Sequence, residues 1–314
     1  IVSILAACIL IRNLAPEGGT RAAIYGAMGG TIGTGAGVLV GLLFMTFVYM
    51  LNRGYFRRKI AHDRRSTEQS YQEILKMLVL MITPIIFTSF IYNCSAYADS
   101  YLYSAIQGFN GMSADSISAA YGEYSNYYVP LVSIPLAMAS ASTSAMMPEV
   151  SGKYAIGRFD ELNRQVNQTL RLTMFICIPC MIGLTVLAKP IMGVLFPSAS
   201  ELAEKLLFAG SVFVVTDSFS IVTGGVLQAI GKQHVALVNA GISLAVNLAS
   251  LAIMLFARPG LDIYAVMLSN IIFSLVCCFL NVLSMKKHLR TRHEIRKTYV
   301  EPLASSVIMG AVAW

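Results

Sequence analysis

Charge is scarce in this sequence. Only 12% of its 314 residues are Asp, Glu, Lys or Arg, against 56% hydrophobic, and the mean hydropathy is +0.66. Soluble domains carry about a quarter charged residues. A water-exposed globule so poor in charge would present a large apolar surface and aggregate, which excludes a soluble fold. Histidine is scarce too: His62, His234, His288 and His293 lie in or beside loops and form no ligand cluster. There is no serine elbow flanked by glycines and no paired acidic loop to hold a metal–nucleotide. These absences leave no enzymatic signature and no structural metal site, so the expectation is a protein that is not an enzyme. The six cysteines, Cys8, Cys94, Cys177, Cys180, Cys277 and Cys278, all sit in apolar segments, where Cys acts as a small hydrophobe. Cys177-Ile-Pro-Cys180 has redox or zinc spacing but lacks a second ligand pair. An initiator Met and a signal peptide are also missing. The final stretch, Pro302 to Trp314, is apolar but shorter than the about 20 residues a span needs. A fragment cut at both ends is therefore expected.

What is present is apolar length. Hydrophobic segments run over roughly 1–11, 22–51, 75–106, 119–147, 172–196, 206–230, 237–257, 262–285 and 302–314, seven complete and two stubs. The first complete one would be a helix of about 45 Å, long enough to cross a bilayer and project. The net charge of +7 could suggest nucleic acid, but its distribution fits a membrane better. The loops around 51–76, 148–171, 231–236 and 286–300 hold 7, 4, 1 and 6 of the 23 Lys and Arg. The remaining five are Arg12, Arg21, Lys189, Lys205 and Arg258, in the alternate connections. The positive-inside rule places the basic set in the cytoplasm. The lipid bilayer is the expected partner and nucleic acid is not.

Gly29, Gly33, Gly37 and Gly41 recur every four residues. That spacing lines one helix face with hydrogen and lets another backbone approach. The "GGTIGTGAG" run is unlike a phosphate-binding loop, since no strand precedes it and no Lys-Ser or Lys-Thr follows. Pro84, Pro130, Pro135 and Pro179 interrupt spans and favour kinks. Ionisable groups inside a membrane are costly, which singles out Asp99, Glu123 and Asp217. Tyrosines crowd around the first two. Tyr97, Tyr121, Tyr124 and Tyr127, with Asn126 and Glu123, would either form an interfacial belt or line a hydrated opening suited to sugar hydroxyls.

The stretch "YGEYSNYYVPLVSIPLAMASASTSAMMPEVSGKYA", Tyr121 to Ala155, resembles a known family. This is the stage V sporulation protein B-like, polysaccharide-biosynthesis branch of the multidrug/oligosaccharidyl-lipid/polysaccharide exporter superfamily, whose members are MurJ-like flippases for lipid-linked saccharides. "LAPEGGTRAAIYGAMGGTIG", "YADSYLYS", "LTVLAKPIMGVLF" and "GGVLQAIGKQHVALVNAGISLAVN" are similar to further family segments, in family order.

The resemblance implies an all-α integral membrane protein with the MATE-like flippase fold, here partial. Residues 1–51 would end a first lobe with helices five and six, and 52–74 would be a cytoplasmic inter-lobe loop. Residues 75–285 would form a six-helix second lobe, 286–301 a basic cytoplasmic loop, and 302–314 the start of the next helix. The implied activity is translocation of an undecaprenyl-linked saccharide, a cell-wall or polysaccharide precursor, across the bacterial cytoplasmic membrane by alternating access, alongside cell-envelope synthesis enzymes. In sodium-binding relatives a seventh-helix Asp works with eleventh- and twelfth-helix groups. Asp99, Asn247 and Ser269 match these positions, with Na+ or H+ as coupling ion and no other cofactor. The second acid of that pattern is Leu251 here. Related lipid II flippases also carry a cavity arginine in the eighth helix, and Tyr121 to Met147 holds no Arg or Lys. Two alternatives therefore stay open: a cation-coupled multidrug exporter of the same fold, and a non-transporting scaffold for envelope synthesis.

Overall fold

The computed structural model describes residues 2–14, 19–62, 70–289 and 296–313. Gly18, residues 63–69 of the expected inter-lobe loop and residues 290–295 of the expected basic loop lie outside the described residues. All regular elements among the described residues are helical. They are α1 (Val2–Leu14), α2 (Gly19–His62), α3 (Tyr71–Phe109), α4 (Ala114–Glu123), α5 (Val129–Ala155) and α6 (Phe159–Val186). There follow α7 (Ala188–Leu195), α8 (Glu201–Gly210), α9 (Val212–Ala229), α10 (Gln233–Ala257), α11 (Ile263–Leu289) and α12 (Glu301–Ala313). Seven stretches among the described residues are long and apolar enough to cross a membrane, as the hydropathy pattern predicts.

The chain divides into two compact units, Ile1–Tyr71 and Gln72–Trp314. In the first, α1 packs on α2 at close backbone range. A methyl added at Gly29 would overlap Ala7 Cα, and one added at Gly33 would overlap Ser3 Cα. Added methyls at Gly37 and Gly41 meet nothing within 4 Å. The four-residue ladder thus divides into a packing half and an open half. Gly33→Ala in the full-length protein is expected to force α1 and α2 apart at a cost of about 1–3 kcal/mol. Gly37→Ala should be neutral or better, since alanine favours a helix. Thermal unfolding in detergent distinguishes them, and equal midpoints would show that the α1–α2 contact carries no stability.

The second unit is a bundle with two apolar clusters. One joins Tyr103, Tyr128, Leu131, Leu206, Leu251 and Ile263 near the α3–α4 and α10–α11 turns. The other joins Val150, Leu162, Val166, Val226 and Met285 near the basic loops. Buried Ser218, Ser220, Thr223, Ser243, Ser274 and Asn281 add a polar layer to the bundle. Asn281 ties it together: Asn239 Nδ2 donates to Asn281 Oδ1 at 2.9 Å, while Asn281 Nδ2 reaches Thr223 Oγ1 at 3.4 Å. In lipid there is no water to satisfy such groups, so interhelical bonds of this kind hold helices in register.

Two breaks depart from the hydropathy pattern. The 206–230 segment is not one helix, because α8 ends at Gly210 and α9 starts at Val212. At the break, Tyr128 Oη donates to Gly210 O at 2.9 Å, and a methyl on Gly210 would lie 2.7 Å from Tyr128 and Met267. Within the 119–147 segment, Tyr124–Tyr128 form a wide π turn, where Val129 N–H bonds Tyr124 O five residues back. Pro130 follows directly and has no N–H to continue an α ladder.

Candidate functional site

The α3 helix meets the bundle through one stripe of side chains. Thr88, Ser95, Asp99, Tyr103 and Gln107 are buried at helical spacing, while Tyr97 and Tyr101 face outward. The stripe carries polar groups into an apolar bundle, so each needs a partner.

Asp99 is 1% exposed. Its Oδ2 accepts from Asn270 Nδ2 at 2.9 Å, and Asn270 also donates to Val266 O at 3.0 Å. The Tyr124 hydroxyl lies 3.5 Å from the same amide nitrogen. Asn247, wholly buried on α10, faces the carboxylate as well. Asp99 Oδ1, Ser95 Oγ and both side-chain atoms of Asn247 are buried without a hydrogen-bond partner. A carboxylate oxygen and an amide oxygen left bare inside a membrane bundle cost free energy unless something positive meets them. Hard cations are held by such oxygens, carboxylates and carbonyls together.

The α11 residue that reaches Asp99 is Asn270, which the sequence did not single out. Ser269 is its neighbour, about 100° around the helix. Ser269 is fully buried and spends its hydroxyl on Val266 O at 2.8 Å. Leu251, at the position of the expected second acid, is part of the apolar cluster. Among the described residues no three His, Cys, Asp or Glu side chains converge.

The tyrosines separate by helix face. Tyr103, Tyr121, Tyr124 and Tyr128 form a continuous series, with ring centroids 6.1, 5.9 and 5.3 Å apart. Tyr124 and Tyr128 are buried in the bundle and Tyr121 donates to Ala96 O at 3.1 Å. Tyr127 packs on Phe196 and its hydroxyl lies 3.3 Å from Ser198. Glu123 accepts from Ser200 N at 3.3 Å and so fixes the loop before α8. Tyr97, 77% exposed, and Asn126 lie on the surface of the unit. Within this unit Tyr124 and Tyr128 thus face inward, while Tyr97 and Asn126 face outward. Asp217, half-buried in α9, lies within electrostatic reach of Tyr92, Tyr128 and Cys278.

Comparison with known proteins gives concordant matches. The family described as "Lipid II flippase MurJ" matches residues 1–314. The lipid II flippase MurJ of Bacillus subtilis (strain 168) is 25% identical over 255 residues, covering 79% of this chain and 45% of that protein. Stage V sporulation protein B of the same organism is 22% identical over 289 residues, covering 92% of this chain and 54% of the relative. The chain spans about half the length of these curated relatives. Among solved structures, a mutant of the Vibrio cholerae MATE transporter VcmN superposes with a TM-score of 0.56 over 92% of this chain and 61% of its own. At 16% identity that match speaks for the fold alone.

Proposed function

The chain belongs to the lipid II flippase MurJ family, and from this we propose that it supplies the second lobe of an alternating-access flippase for lipid-linked saccharides. The multi-pass membrane architecture follows from its seven long apolar helices and its family. The membrane we assign is the bacterial cytoplasmic one, with the basic loops on the cytoplasmic side. Carrying a diphosphate saccharide through hydrocarbon unaided is prohibitive, and a polar path opened alternately to each side removes that barrier.

The observation that carries this reading is the Asp99 cluster. A buried carboxylate with one partnered and one bare oxygen, opposite a bare asparagine amide, is costly for a structural core and useful for coupling. We assign Asp99 and Asn247 as the groups that hold the coupling cation, Na+ or H+, with Asn270 orienting the carboxylate. A bound cation would supply the positive charge these oxygens lack. Because α3, α10 and α11 each contribute a side chain, loading the site ties three helices together and favours one arrangement of the lobe.

Reconstitution tests the assignment. The full-length protein in proteoliposomes is expected to translocate a fluorescent polyprenyl diphosphate disaccharide and to leave a cationic dye in place. Efflux of the dye without movement of the saccharide would overturn the flippase reading in favour of drug export. Movement of neither, with folded protein, would favour a scaffold.

A further inference from the structure

A cavity of about 420 Å³ opens in the second unit, apart from the Asp99 cluster. That size is within the roughly 300–1,000 Å³ of small-molecule sites. Its walls come from α3, α5 and α9, with Asn281 of α11 and Ala236 of α10. Nine of its fourteen lining residues carry a hydroxyl or side-chain amide, and none carries a charge.

Such residues in membrane helices commonly satisfy themselves on their own backbone. Three do so here. Thr88 donates to Pro84 O at 2.7 Å, Thr143 to Ala139 O at 2.8 Å and Ser144 to Ser140 O at 2.9 Å. Each keeps its acceptor lone pairs for the cavity. The others do not. Ser220 Oγ is fully buried beside the Tyr92 hydroxyl, which is also engaged with Cys277 Sγ at 3.3 Å. Ser89, Ser140 and Gln228 make no side-chain hydrogen bond among the described residues. The recess thus offers both donors and acceptors, densely and without charge.

That combination selects a ligand class. A diphosphate needs cations and a drug cation is held best by carboxylates, and the walls supply no Lys, Arg, Asp or Glu and a single aromatic ring, Tyr92, whose hydroxyl is already engaged. Asp217 acts on Tyr92 but does not line the space. A neutral polyol matches, because each ring hydroxyl both gives and takes a hydrogen bond. Glycine keeps the space open: a methyl on Gly224 would meet only Asn281 Nδ2, at 3.6 Å. The recess also sits toward the basic end of the unit, where Gln228 and Ala236 flank the turn holding Lys232.

We propose that this recess binds the uncharged sugar portion of the lipid-linked saccharide as it loads from the side of the basic loops. The diphosphate is then held by groups outside the recess. This rests on the flippase reading above and adds to it which part of the substrate the second lobe takes.

Site-directed labelling tests it on the full-length protein in a cysteine-free background. Ser140→Cys places a thiol on the recess wall. Ser133→Cys, exposed on the same helix, is the control. Maleimide labelling rates are compared with no addition, with polyprenyl diphosphate, and with polyprenyl diphosphate disaccharide. The disaccharide lipid is expected to slow labelling at position 140 at least fivefold, the sugar-free lipid to leave it unchanged, and position 133 to respond to neither. Gly224→Leu, which fills the recess, is expected to reduce disaccharide-lipid binding at least tenfold while sugar-free lipid still binds. Equal protection by the sugar-free lipid overturns the proposal. So does wild-type flipping with no protection at 140, which leaves the flippase reading intact. Protection without flipping keeps the sugar site and removes the flippase reading. Neither protection nor flipping removes both.

Discussion

Asp99→Asn is expected to abolish ion-coupled transport while the protein still folds. The geometry explains both halves. An asparagine at 99 keeps an oxygen that can accept from Asn270 Nδ2, as the carboxylate Oδ2 does now at 2.9 Å. Its new amide faces Asn247, and a turn of that side chain brings its Oδ1, which has no donor, toward the new N–H. The variant therefore satisfies polar groups that are bare in the wild type, and normal or raised stability should follow. What it loses is the negative charge. A neutral amide can neither take up a proton near physiological pH nor hold a hard cation strongly. Translocation in proteoliposomes, driven separately by a sodium gradient and by a pH gradient, measures the effect. The gradient-stimulated rate should fall to background under both. Retained stimulation under either would remove Asp99 from coupling. Asn270→Ala should be milder, because it strips one bond of about 1–3 kcal/mol from the carboxylate, or roughly 5–150-fold in apparent ion affinity.

How much of this was legible in the sequence follows from the range of each signal. Spans are local, and their length and hydropathy located all seven among the described residues. A carboxylate in an apolar run is local too, so Asp99 and Asp217 were visible. Asn270 was not, since "LSNIIFS" has no pattern that marks one polar residue over another. Its role depends on contact with a residue 171 positions away. The tyrosines were legible as a group but not by face. Helical geometry turns Tyr124 and Tyr128 inward and Asn126 and Tyr97 outward, and only the packed neighbours say which face is which. The break at Ser211 was hidden because Gly210 and Ser211 sit in an unbroken apolar run. Tertiary contacts from Tyr128 and Thr185 use that break. The hydroxyl recess left a trace in "MASASTSAMM", but small hydroxyl residues also serve helix packing, and hydropathy does not distinguish the two.

Asp262 is expected to show an unusual order of substitutions, in which glycine is tolerated better than alanine. It is the one non-glycine residue with positive φ among those described, at φ 45° and ψ −132°. That pair of angles belongs to the first central position of a type II′ turn, where glycine is preferred. A non-glycine residue held there costs about 1–3 kcal/mol. The side chain offsets that cost. Asp262 Oδ1 accepts from Tyr103 Oη and, at 3.0 Å, from Gln107 Nε2, while Gln107 Oε1 accepts from Asn110 Nδ2 at 3.0 Å. Tyr103 and Gln107 are both buried, so the carboxylate satisfies a Tyr103 hydroxyl that would otherwise be stranded and shortens the reach of a Gln107 amide whose other acceptor is Pro259 O at 3.4 Å. Its charge also sits just before α11, at the helix end that favours an anion. Asp262→Ala keeps the strained backbone, strands the Tyr103 hydroxyl and leaves Gln107 Nε2 only its longer bond to Pro259 O at 3.4 Å, and should cost about 2–4 kcal/mol. Asp262→Gly loses the same bonds but releases the strain, so it should recover about 1 kcal/mol of that loss. Asp262→Asn keeps an accepting oxygen and tolerates the backbone, so it should be the mildest of the three. Thermal unfolding of the full-length protein in detergent gives the order directly. Equal losses for Gly and Ala would show that the backbone stores no strain. An Asn variant as unstable as Ala would show that the charge, rather than the acceptor, holds the outer end of α3 to the α10–α11 turn.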